Sequence, residues 1–72
     1  MTTTEQHDIA TAATELLSQS PVAELRRLHV VEKADRLLLS GQVGSFYHKQ
    51  LAQETVRQVA CGLHVLNRVD VQ

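Results

Sequence analysis

The chain has 72 residues, 43% of them hydrophobic, and a formal net charge of −1. This length suits one domain, which we place over residues 1–72, and it is too short for two. A domain of this size buries only roughly 60% of the surface that its unfolded chain exposes. The composition excludes a disordered chain, the single cysteine excludes an intrachain disulfide, and the near-neutral charge does not favour binding to nucleic acid.

The first predicted element is a helix over about residues 4–18. Thr2 and Glu5 have the spacing of a capping box, and Pro21 ends the pattern because proline cannot continue a helix. The apolar residues of the segment share one face: Ile9, Ala12, Ala13, Leu16 and Leu17. This thin, alanine-rich stripe predicts a helix that packs closely on a flat surface.

Two strands are predicted next, over about residues 25–32 and 37–43, with the polar residues 33–36 as a hairpin turn. Apolar and polar residues alternate along both segments, which is typical of a sheet with one face in water. Gly41 within the second strand indicates a bulge or a close approach of a helix. Leu38 places some apolar surface on the outer face of the sheet.

A second helix is predicted over about residues 45–61, and a last strand over about residues 64–71. Ser45 is a favourable N-cap, and Gly62 lies where a glycine commonly closes a helix. Valines alternate with polar residues along the last strand, and Asn67 lies on the same side as these valines.

The order of elements is therefore helix, strand, strand, helix, strand. With both helices on one sheet face, this order predicts an α+β fold, a two-layer α/β sandwich with a three-stranded mixed sheet. The second helix connects the last two strands, which we expect to run parallel. The sequence does not define the order of the strands in the sheet.

Residues 25–71 resemble the BON domain, a bacterial module, and the first helix fits the leading helix of that family. The resemblance rests on a Leu-Ser-Gly-x-Val strand end, a small residue in the second helix, a glycine at the helix exit and an asparagine in the closing strand. The corresponding residues are Leu39, Ser40, Gly41, Val43, Ala52, Gly62 and Asn67. The chain departs from the family pattern in a longer helix exit, in a shorter spacing from the exit glycine to the asparagine, and in the hairpin turn, where Ala34 and Asp35 replace Asp-Gly.

The resemblance implies a binding role, directed at phospholipid headgroups or at a membrane-associated protein. We expect no catalysis and no cofactor. The candidate site is the start of the second helix: Ser45, Phe46, Tyr47 and Lys49. An exposed ring beside a lysine suits the membrane interface, and the free N–H groups of a helix start can hold a phosphate. In the other interpretation, one ring packs on the core as a hydrophobic staple and the other lies on the surface.

Two further binding hypotheses follow from the pattern. Val31, Leu38 and Leu66 on the outer face favour self-association of the domain through its sheet. Gly41 and Gly44 have the spacing of a Gly-x-x-Gly loop that clamps nucleic acid. Such a loop joins two helices, however, and this segment ends a strand.

No pattern for catalysis or for metal binding stands out. The four histidines have no ligand-type spacing, and no triad, phosphate loop or carboxylate pair is evident. Arg26, Arg27 and Arg36 lie among acidic residues, which indicates a solvated face, and we expect Cys61 to be buried. The sequence shows no signal peptide and no apolar run of membrane-spanning length. We therefore expect a cytoplasmic protein, or a periplasmic or membrane-associated one if the chain is part of a longer protein.

Overall fold

The computed structural model describes residues 9–72. In chain order the elements are α1 Ile9–Ser18, a short 3-10 turn Leu25–Arg27, β1 His29–Lys33, β2 Arg36–Ser40, β3 Gln42–Val43, α2 Phe46–Arg57, β4 His64–Asn67 and β5 Asp70–Val71. The predicted end of the first helix at Ser18 is confirmed. Its predicted start and capping box lie outside the described residues.

Three strands form the main sheet in the order β1-β2-β4. β1 and β2 are antiparallel, and β2 and β4 are parallel, as expected for two strands connected by a helix. α1 contacts β1, α2 contacts β4, and the two helices contact each other, so they form one layer over the inner face of the sheet. The predicted α+β fold, with a three-stranded mixed sheet and two helices on one face, is confirmed.

The core lies between the helix layer and the inner face of the sheet. Among the described residues it is entirely aliphatic, and it consists of Ala13, Leu17, Leu25, Leu28, Leu37, Leu39, Val43, Ala52, Val56, Ala60 and Val69. Ala13 and Ala52 have no exposed surface, and their small side chains allow the helices to approach their neighbours closely. Leu37 and Leu39 lie on the inner face, as the alternation predicts.

The first predicted strand begins later than its predicted start at about residue 25. Residues Leu25–Arg27 form a 3-10 turn, in which each N–H donates to the carbonyl three residues earlier. Leu25 and Leu28 are both buried, and a spacing of three residues places both on the same side of a 3-10 turn. The strand itself is His29–Lys33, so the prediction was wrong over its first residues.

Gly41 divides the predicted strand over residues 37–43 into β2 and β3. Its φ is +133°, and a Cβ at this position would lie 2.5 Å from Leu28 Cδ2. Gly41 therefore marks a close approach to Leu28, not to a helix. The last predicted strand is also divided, into β4 and β5. Parallel pairing continues between β3 and β5, and Asp70 N–H donates to the Gly41 carbonyl at 2.9 Å.

α2 ends at Arg57 and not at about residue 61 as predicted. The next three N–H groups donate to carbonyls three residues back, so the chain tightens into a 3-10 path. A β-turn follows, closed by Leu63 N–H donating to the Ala60 carbonyl at 3.0 Å, with a φ of 52° at Cys61 and of 87° at Gly62. Gly62 therefore serves this turn and does not close the helix, and Cys61 is exposed and not buried.

Candidate functional site

The start of α2 is formed as the sequence predicts. Ser45 has an extended backbone with a φ of −154°, and its Oγ accepts a hydrogen bond from His48 N–H at 3.1 Å. This is the geometry of an N-cap. The Ser45 carbonyl accepts the N–H of Lys49 at 3.1 Å. The cap therefore fixes the direction in which the first side chains of α2 leave the helix.

Phe46 and Tyr47 are the first two residues of α2, and both project into solvent. Phe46 is 74% exposed and Tyr47 is 70% exposed. The Tyr47 ring lies 5.7 Å from the His48 ring, in a tilted arrangement. Neither aromatic ring contributes to the core, so the interpretation in which one ring staples the helix to the core is wrong. We call Phe46, Tyr47 and Lys49 the α2 tip.

Glu24, which the sequence analysis did not single out as a site residue, holds the loop before α2. Its Oε1 accepts the N–H of Gly44 at 3.0 Å and lies 2.7 Å from His48 Nδ1. The carboxylate thus connects the segment before β1 to the capped helix start, across twenty positions of sequence from Gly44. A local sequence pattern contains no signal for such a contact.

The Glu24 carboxylate also changes the electrostatics of the helix start. The hydrogen bond from Gly44 N–H, and then the one from His48, lower the pKa of Glu24 below its usual 4.5, so the group is ionised at neutral pH. A negative charge next to the N-terminus of a helix is itself a favourable arrangement. A phosphate at the N–H groups of this helix start would meet the negative charge of Glu24.

Asn67, one of the residues that carry the BON resemblance, connects the end of β4 to α2. Its Nδ2 donates to the Lys49 carbonyl at 2.9 Å and to Gln53 Oε1 at 3.2 Å. Its Oδ1 accepts the N–H of Val69 at 3.2 Å, at the point where β4 gives way to β5. The side chain of Lys49 belongs to the tip, while its backbone is anchored by this contact.

The outer face of the sheet carries the other sequence-predicted surface. Residues that pair across β1, β2 and β4 place Val31, Leu38 and Leu66 side by side in one row, which we call the apolar row. Val31 is 54% exposed, and the two leucines are half-buried. The structure therefore brings together the three residues that the sequence pattern placed on this face.

Basic residues flank the apolar row on both sides. On one side, Lys33, Arg36 and His64 occupy neighbouring positions on β1, β2 and β4. Arg68 lies on the other side. A shallow depression of about 370 Å³ on this face is lined by Val31, Lys33, Leu38, Leu39, Ser40 and Arg68. Lys33, Arg36 and Arg68 are exposed, and within residues 9–72 none of the three has an ion-pair partner. The outer face thus presents three exposed cations beside the apolar row, although the chain as a whole has a net charge of −1.

The remaining predicted features do not extend either surface. Arg26 and Arg27 lie in the 3-10 turn, and Arg26 donates to the Ser20 carbonyl at 2.8 Å, so the structure separates them from Arg36 on the sheet. In the part of the chain that the structure describes, no three His, Cys, Asp or Glu side chains group as metal ligands. In the same part, no helix is long and apolar enough to cross a bilayer.

Comparison with known protein families agrees with the fold. No curated protein matches the chain. The family model of the BON domain matches residues 5–72, which include every element described above. Gly41, Asn67 and the inward-facing Leu39 and Val43 have structural roles that account for their places in the motif. The chain belongs to the BON domain family.

Proposed function

We propose that this protein is a non-catalytic binding module that docks on the headgroup region of a phospholipid bilayer through the α2 tip. The observation that carries the proposal is the exposure of two adjacent aromatic side chains on a capped helix start. Aromatic rings favour the membrane interface, where an apolar body and a polar edge are both accommodated. Members of the BON family are often thought to bind phospholipid, which supports the same ligand class.

The size of the tip sets the strength of binding. Burying about half of a ring of roughly 200 Å² contributes about 2 to 3 kcal/mol, and a lysine near an anionic surface adds about 1 kcal/mol. Two rings and Lys49 therefore contribute about 5 to 7 kcal/mol before the cost of association is subtracted. A single copy binds weakly, and several copies on one surface bind much more tightly.

Vesicle flotation tests the proposal. Wild-type protein is expected to float with vesicles of phosphatidylglycerol and phosphatidylcholine at low salt, and the double variant Phe46→Ser/Tyr47→Ser is expected to remain in solution. Val31→Ser is the matched control, because Val31 is an exposed apolar residue on the outer face. If the wild type stays in solution even as two copies joined in tandem, or if the double variant floats as well as the wild type, the proposal is wrong.

Self-association through the sheet is the second candidate, and the apolar row is the observation that favours it. Two copies facing each other would bring the cations of both outer faces together, which costs free energy. Sedimentation over a range of protein and salt concentrations tests this candidate. Association that strengthens with salt and is lost in Val31→Ser would support it, and a monomer at high concentration would count against it.

A further inference from the structure

The outer face has a chemistry that neither the lipid proposal nor self-association uses. An apolar row lies between two sets of basic residues, and their three permanent cations have no ion-pair partner within residues 9–72. We propose that this face binds an acidic amphipathic helix of a protein partner. The apolar side chains of that helix lie on the row, and its carboxylates pair with Lys33 and Arg36 on one side and with Arg68 on the other.

The spacing of the rows fits a helix that lies across the strands. The apolar row spans two strand separations, or about 10 Å. The basic residues on its two sides are four strand positions apart, which corresponds to about 13 Å. An α-helix with its side chains has a diameter of about 10 to 12 Å. Such a helix covers the row and places residues from both of its flanks near the cations.

The relief of the outer face argues against a bilayer as its occupant. Leu38 and Leu66 are half-buried, and the longer side chains of Lys33, Arg36 and Arg68 stand around the row. A flat lipid surface meets the ends of these cations first and does not reach the depression between Val31 and Arg68. A convex helix does reach it. A second copy of the chain supplies cations where carboxylates are required.

The primary test is an NMR titration of the full chain with a short amphipathic peptide. The peptide has leucine on one helical stripe and glutamate on both flanks. Amide shifts are expected in β1, β2 and β4, with fast exchange and with weaker binding as salt increases. A peptide with lysine in place of glutamate is expected to cause no shifts. The proposal is overturned if the glutamate peptide causes no shifts at millimolar concentration, or if both peptides bind equally.

Paired charge variants locate the binding. Arg36→Gln/Arg68→Gln is expected to weaken peptide binding, measured by fluorescence anisotropy, by about fivefold or more, as for two exposed ion pairs. Arg26→Gln/Arg57→Gln removes the same charge away from the outer face, and it is expected to leave binding unchanged. Arg26 donates to the Ser20 carbonyl, and Arg57 forms an ion pair with Glu54 at 3.9 Å. If both double variants weaken peptide binding equally, the effect depends only on the net charge of the protein and the proposal is overturned.

Two more arms separate this inference from the proposed function. Phe46→Ser/Tyr47→Ser is expected to keep full peptide affinity although it loses flotation. If Arg36→Gln/Arg68→Gln instead abolishes flotation with anionic vesicles and leaves peptide binding unchanged, the outer face binds lipid and the inference fails. Circular dichroism melting confirms that each variant is folded, and the titration of the wild type tests the inference without any substitution.

Discussion

Replacing Gly41 by alanine tests how much the fold depends on the close approach between Gly41 and Leu28. The backbone φ of +133° at Gly41 is one that side chains rarely adopt, and holding a non-glycine residue there costs about 1 to 3 kcal/mol. The new Cβ would lie 2.5 Å from Leu28 Cδ2, so a core side chain must move, which costs about 1 to 3 kcal/mol more. Alanine also lowers the conformational entropy of the unfolded chain, which offsets the loss in stability by about 0.4 to 1 kcal/mol.

The net loss in the free energy of unfolding is therefore about 1 to 6 kcal/mol for Gly41→Ala. A domain of this length has a total of about 4 to 11 kcal/mol, at 0.05 to 0.15 kcal/mol per residue. We expect the midpoint of thermal unfolding, followed by circular dichroism, to fall by at least about 4 °C. Urea unfolding at constant temperature gives the free energy itself.

Two controls separate the backbone contribution from the contact. Gly62 has a φ of +87°, and no atom lies within 4 Å of the Cβ that alanine would add, so Gly62→Ala carries strain without a clash. In a Leu28→Val background the Cδ atoms are absent, and Gly41→Ala is expected to cost at least about 1 kcal/mol less than in the wild type. The reasoning is refuted if Gly41→Ala costs no more than Gly62→Ala, or if its cost is the same in both backgrounds.

Three further predictions concern the Glu24 carboxylate, the hydrogen bonds of Asn67 and the backbone of Ala34. The folded pKa of Glu24 lies below 4.5, so the stabilisation that its carboxylate provides is complete above that pH and is lost as the pH falls through the folded pKa. The difference in melting temperature between wild type and Glu24→Gln should therefore shrink below pH 4.5 and stay constant above it. Asn67→Ala removes three hydrogen bonds and should cost about 1 to 3 kcal/mol in urea unfolding, and Asn67→Asp should not restore it, because a carboxylate would face the Lys49 carbonyl. Ala34 has a φ of 56°, so Ala34→Gly should raise stability by about 0.5 to 1 kcal/mol, and a lower melting temperature would contradict this.

The features that the sequence predicted correctly depend on local chemistry. Ser45 caps α2 because a serine with an extended backbone satisfies an N–H at the helix start. Leu37 and Leu39 face the core because alternation places them on one side of a strand. The parallel pairing of β2 and β4 follows from the helix that connects them.

The features that the sequence missed depend on contacts between distant segments. The Glu24 carboxylate reaches Gly44 and His48 only after the chain has folded, and the break at Gly41 reflects the position of Leu28. The exposure of Tyr47 also has a signal in the sequence. Ala52 and Val56 define the buried side of α2, and at about 100° per residue Tyr47 lies about 140° from Ala52 and about 180° from Val56 around the helix.

The two proposed surfaces draw on different forces, and salt separates them. Binding at the α2 tip derives mainly from burial of the rings of Phe46 and Tyr47, which salt does not screen, with Lys49 as a minor contribution. Binding at the outer face requires carboxylates near Lys33 and Arg36, and these exposed charges are screened within about 8 Å at physiological ionic strength. Flotation of the protein with vesicles should therefore persist largely unchanged from low to high salt. Peptide binding should weaken steeply over the same range, and a parallel loss of both activities would mean that one electrostatic surface serves both ligands.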